Sequence, residues 1–138
     1  MKLTITKEAQ EKMTALRQDG DYLVLDFEDG QGPFVESGAS CQLYPNYRLL
    51  FVPENFPASE LAIYDDQLET KAGPVYMKKT SEMFLDNQVV LKVENAYQRL
   101  QLQSNSGVLV ANLPMKRIEL DEEGRYNGQT SRSNGPAC

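Results

Sequence analysis

The residues of this chain best equipped for chemistry are acidic and lie close together. Asp26, Glu28 and Asp29 close an apolar segment, Tyr22-Leu23-Val24-Leu25-Asp26-Phe27-Glu28. Side chains alternate between the faces of a strand, so Asp26 and Glu28 share a face, and paired carboxylates can act as acid and base or hold a hard cation. No second catalytic partner accompanies them, and among 20 acidic residues a solvated strand face is the ordinary role for such a pair. The chain has no histidine and no tryptophan, which removes the usual neutral-pH base and the commonest zinc ligand and excludes Ser-His-Asp triads and HExxH sites. The soft donors are Cys41, in a run of small residues, and Cys138, the final residue. A cluster takes about four thiolates, so one chain supplies half a set and a symmetric homodimer a whole one. One structural thiol and one incidental tail thiol is the plainer alternative. The residues give no ground for an enzyme.

Directly after the carboxylates comes the loop Asp29-Gly30-Gln31-Gly32-Pro33-Phe34. Glycines on both sides of Gln31 permit positive φ and Pro33 then stiffens the backbone, which predicts a shaped loop. Its candidate partner- or ligand-binding residues are Gly30, Gln31, Gly32 and Phe34. No Gly-Lys-Ser/Thr follows, so it is not a phosphate cradle of the Walker type.

The elements that position this loop are read from periodicity. Leu3 and Ile5 alternate as the inward face of a strand, and the pattern then changes to Ala9, Met13 and Leu16, spaced as one face of a helix over 7–18. Thr6 suits its N-cap, Glu8 its first turn and Gly20 its end. Strands are expected over 22–28 and 47–52, with shorter ones over 61–64 and 74–77 separated by a polar connector from Asp65 to Gly73. Thr80 or Ser81 is expected to cap one helical turn through 82–85. Val89, Leu91 and Val93, then Leu100 and Leu102, mark a hairpin, and the turn Ser104-Asn105-Ser106-Gly107 leads into Val108-Leu109-Val110-Ala111, making an antiparallel meander. Beyond Leu120 the only aliphatic residue is Ala137, so 121–138 reads as a polar tail that adds little to folding.

With 138 residues, 41% hydrophobic and 25% charged, the chain fits one domain over 1–120 followed by that tail. Its net charge of −6 and the absence of any basic cluster larger than a pair (Lys78-Lys79, Lys116-Arg117) argue against nucleic acid. Apolar runs such as Leu49-Leu50-Phe51-Val52 fall far short of the roughly 20 residues that cross a bilayer. No signal-peptide core follows Met1, so the expected location is the cytoplasm, with both thiols reduced.

The order of segments resembles the HesB-like iron-sulfur cluster biosynthesis family, the A-type scaffold or carrier proteins. The resemblance is carried by Leu3-Thr4-Ile5-Thr6-Lys7-Glu8-Ala9, by the strand entering Asp29-Gly30-Gln31-Gly32-Pro33, by Ser81-Glu82-Met83-Phe84-Leu85-Asp86, and by Val110-Ala111-Asn112-Leu113-Pro114. It implies a mainly β fold, an antiparallel sandwich or barrel with one N-terminal helix. It also implies a non-enzymatic role in cluster biogenesis, binding a cluster, iron, or an assembly or client protein. Members that hold clusters or iron carry a loop cysteine and a Cys-Gly-Cys pair near the C-terminus. Here the loop position reads Gln31 and the region of the pair reads Leu120-Asp121-Glu122-Glu123. The resemblance therefore leaves two roles open, a protein with iron or a cluster held through Cys41 and Cys138, and a ligand-free interaction adaptor presenting Gln31 and Phe34.

Overall fold

The computed structural model describes residues 1–29, 32–34, 46–124 and 126. The chain opens with strand β1 (Lys2–Ile5) and helix α1 (Lys7–Met13). Thr6 is the N-cap as expected, its hydroxyl accepting from the Ala9 amide at 3.2 Å. The regular helix is shorter than predicted because its last turn tightens: the amides of Thr14, Ala15 and Leu16 donate to carbonyls three residues back.

Seven further β-strands follow, β2 (Tyr22–Phe27), β3 (Tyr47–Val52), β4 (Asp66–Thr70), β5 (Gly73–Met77), β6 (Gln88–Val93), β7 (Leu100–Ser104) and β8 (Gly107–Val110), with helical turn α2 (Lys79–Glu82) between β5 and β6. A ninth, β9 (Met115–Arg117), completes the described set. Two sheets result, in the orders β1-β6-β7-β8 and β4-β5-β2-β3-β9. The fold is mainly β and sandwich-like, as expected, but the sheets are mixed rather than purely antiparallel. β1 runs parallel to β6, β2 to β5 and β3 to β9, while the meander β6-β7-β8 is antiparallel.

Three local expectations are corrected. Residues 61–64 are not a strand: a 3-10 turn over Ala58–Leu61 leads into a bend, and Leu61 and Tyr64, one helical turn apart, are the buried pair. The supposed polar connector is β4, an edge strand in which Leu68 alone is buried. In α2 the cap is Lys78, and Thr80 and Ser81 lie inside the turn.

The main core fills the space between the sheets. Leu3, Ile5, Val89, Leu91, Leu100 and Leu102 meet Leu23, Leu25, Leu49, Phe51, Val75 and Met77, and Ala9 and Met13 of α1 close one side. A second cluster covers the other face of β2 and β3, where Val24, Leu50 and Val52 pack under Phe34, Phe56, Leu61, Tyr64 and Ile118. β3 is consequently buried along all six residues, as a strand covered on both faces must be.

Candidate functional site

The loop leaves the sheet at the end of β2 and returns at the start of β3, where Asp26 pairs with Arg48 and Phe27 with Tyr47 in antiparallel register. Because the strand period is two, these adjacent pairs face opposite sides of the sheet.

On one side lies a buried charge network. Asp26 and Arg48 are each 2% exposed. Arg48 Nε donates to Asp26 Oδ2 at 2.8 Å, and Tyr64 Oη donates to Asp26 Oδ1 at 2.8 Å. Arg48 Nη2 donates to the Phe34 carbonyl at 2.6 Å and thereby holds the far end of the described loop. At the near end Lys78 Nζ donates to the Phe27 carbonyl at 3.1 Å and to Asp29 Oδ1 at 2.8 Å. Burial, together with the charge of Asp26 and the hydrogen bond to it, pushes the Tyr64 phenol far above its ordinary range. Asp26 is thus no solvated surface carboxylate, and Glu28 also approaches Arg48, at 3.9 Å. Both carboxylates face Arg48, whose guanidinium in turn holds loop backbone.

The loop's shape agrees with its glycine content at Gly32, whose φ is +107°. Phe34 is 1% exposed and packs on Phe56, Tyr64 and Tyr126, so its ring forms core and is not displayed. Turning inward removes this large apolar side chain from water, which outweighs any local preference for display. Gly30, Gln31, Cys41 and Cys138 lie outside the described residues.

On the other side of the sheet the sandwich opens into a groove of about 620 Å³, lined by Phe27, Asn46, Tyr47, Phe84, Leu85 and residues 109–112. Phe27 stacks on Phe84 at 5.0 Å between ring centroids and meets Tyr47 at a tilt of 47°, at 4.9 Å. Tyr47 Oη donates to the Ser81 carbonyl, fixing α2 and the turn that carries Phe84. Burial raises the Tyr47 phenol to about 12, keeping it a neutral donor. Phe84 remains 59% exposed and Met83 77%. No single stretch of sequence contains this groove, although Phe84 was visible as an apolar residue within the helical turn expected over 82–85.

Among the described residues no group of three metal-ligating side chains comes together, and no helix is long and apolar enough to cross a membrane. Phe34 and Tyr126 meet edge to face at 5.6 Å, which brings the loop and the stretch after Leu120 to one side of the molecule. On that side Asp121-Glu122-Glu123 supply oxygen donors, hard ligands that do not fit a sulfide cluster.

The chain belongs to the iron-sulphur cluster biosynthesis family, which matches residues 1–117. It resembles a crystal structure from Lactobacillus salivarius whose name provisionally assigns it to Fe-S biosynthesis, with 25% identity, a TM-score of 0.73, and coverage of 85% of this chain and 98% of that one. A second structure, from Lactobacillus acidophilus and named in the same provisional way, shares the fold at 15% identity and a TM-score of 0.59, covering 83% of this chain and 88% of its own. No curated protein matches the chain.

Proposed function

We propose that this chain is a non-enzymatic, cytoplasmic protein of iron-sulfur cluster biogenesis that docks an assembly or client protein at the groove beside its glycine loop. One observation carries the reading. Three of the segments that bear the family resemblance converge on the groove: the strand entering the loop through Phe27, the stretch Ser81 to Asp86 through Phe84 and Leu85, and the stretch Val110 to Pro114 through its first three residues. Among the described residues the groove lining holds no ionisable group except the Tyr47 phenol, whose raised pKa keeps it protonated. That suits recognition better than acid-base chemistry.

The test is anaerobic reconstitution with iron and sulfide, counting both per chain, in the parent and in a Cys41→Ser, Cys138→Ser double variant. The docking reading expects little sulfide in either. Full loading of the parent that disappears in the double variant would replace it with a carrier using those two thiolates, filled to about four by a homodimer or an outside thiol.

A further inference from the structure

We infer that the groove takes an extended, uncharged apolar segment of the partner protein, added as a further strand along β8. The inference rests on the docking reading and names the chemistry of what docks. Among the described residues β8 has one strand neighbour, β7, so it is an edge whose outer backbone groups can pair with another chain. Edges are usually guarded by charges or proline. Gly107-Val108-Leu109-Val110 has neither, and Val108 is 53% exposed.

Charge selects the occupant. The chain carries a net −6, yet among the described residues no aspartate, glutamate, lysine or arginine lines the groove. A charged segment would be stripped of water there without gaining a partner, whereas an apolar one is complementary to Phe84, Leu85 and Leu109. Asn46 and Asn112, both exposed, supply amides that can bond an extended backbone. Strand addition combines these features, since backbone bonds along the edge give affinity and alternate side chains enter the apolar floor.

The experiment uses the full chain without iron and a blocked synthetic peptide, Ser-Val-Ser-Leu-Ser-Val-Ser, titrated while backbone amide NMR signals are followed. Saturable shifts confined to 84–85 and 107–112, with slowed amide exchange in β8, are expected. The same peptide N-methylated at alternate residues, or with lysine at its apolar positions, should bind at least about tenfold more weakly. Equal binding by the N-methylated peptide would overturn strand addition, as would shifts located elsewhere or no binding at millimolar peptide. Two results without peptide would also overturn it: β8 protection that grows with protein concentration alongside a dimer in ultracentrifugation, which assigns the edge to a second copy, and full protection in the monomer, which means that the chain covers its own edge. Because no iron is used, a chain later found to load a cluster but still to take the peptide would displace the docking-only function and leave the strand site standing.

Discussion

Asp26 and Phe27 are neighbours in sequence, and each sits opposite its partner on β3, Arg48 and Tyr47, yet the two pairs face different worlds. The Asp26 side is sealed: two strands, a tyrosine, a lysine and a loop carbonyl satisfy one another away from water. The Phe27 side is open, with aromatic rings stacked toward a groove and Phe84 largely in solvent. Burying ion pairs seldom raises stability over apolar packing, so the sealed side is best understood as fixing where the loop begins and ends. Leaving an apolar groove exposed lowers solubility without helping the fold, so the open side is best understood as recognition. Under the proposed function, geometry is set on one face of the sheet and used on the other.

The sharpest way to break this contrast is Arg48→Met. It strands the Asp26 carboxylate and frees the Phe34 carbonyl, and should cost about 3–5 kcal/mol in urea unfolding. A loss under about 1 kcal/mol would show that water reaches the network, as it reaches ordinary surface pairs. Gly32→Val comes next. It forces a β-branched residue to positive φ within 3.6 Å of Tyr64 Oη, and should cost about 1–3 kcal/mol while the far-UV spectrum stays native. An unchanged urea midpoint would mean that the loop does not need glycine there.

A chain ending at Leu120 loses the Tyr126 ring from Phe34 and should lose about 1 kcal/mol. One ending at Tyr126 should match the parent. A loss above about 2 kcal/mol on removing 121–138 would make the tail a structural arm rather than a minor contributor.

The smallest effect is the pH dependence set by Glu82 and Asp66. Burial first, then the hydrogen bond and charge of Asp66, raise the Glu82 carboxyl from 4.5 to about 7. The folded chain therefore holds a proton that the unfolded chain releases, so this group's contribution falls as pH rises from 4.5 to about 7. Asp66 is lowered by the same hydrogen bond, and its contribution is lost instead as pH falls through its lowered value, at the acid end. Glu82→Gln should flatten the stability profile between 4.5 and 7. An unchanged slope would place the titration elsewhere.

The sequence made one of the two faces partly readable and hid the other. Alternation in Leu3 and Ile5, the Thr6 cap, and the meander from Val89 to Val110 were legible because each is local. Asp26 was misread as solvated because its partners are 22 and 38 positions away, and composition says nothing about such distances. β4 escaped because an edge strand with one buried residue has no apolar alternation to display. β9 escaped because Met115-Lys116-Arg117 is half-buried beside β3 and reads as polar. Phe34 was expected on display, since a loop rich in glycine gives no sign that its one aromatic ring turns inward. The groove was legible only as scattered segments of a resemblance, and needed the register of β2 and β3 to become one place.

The central claim is that recognition and stability are separable across this one sheet, and Phe84→Ser tests it most directly. Its urea unfolding free energy should fall by about 1 kcal/mol or less, the worth of one exposed aromatic stack. Its affinity for the strand peptide should drop at least about tenfold. A variant as destabilised as Arg48→Met that still binds the peptide like the parent would contradict the account, making Phe84 part of the core and the groove a by-product of the fold.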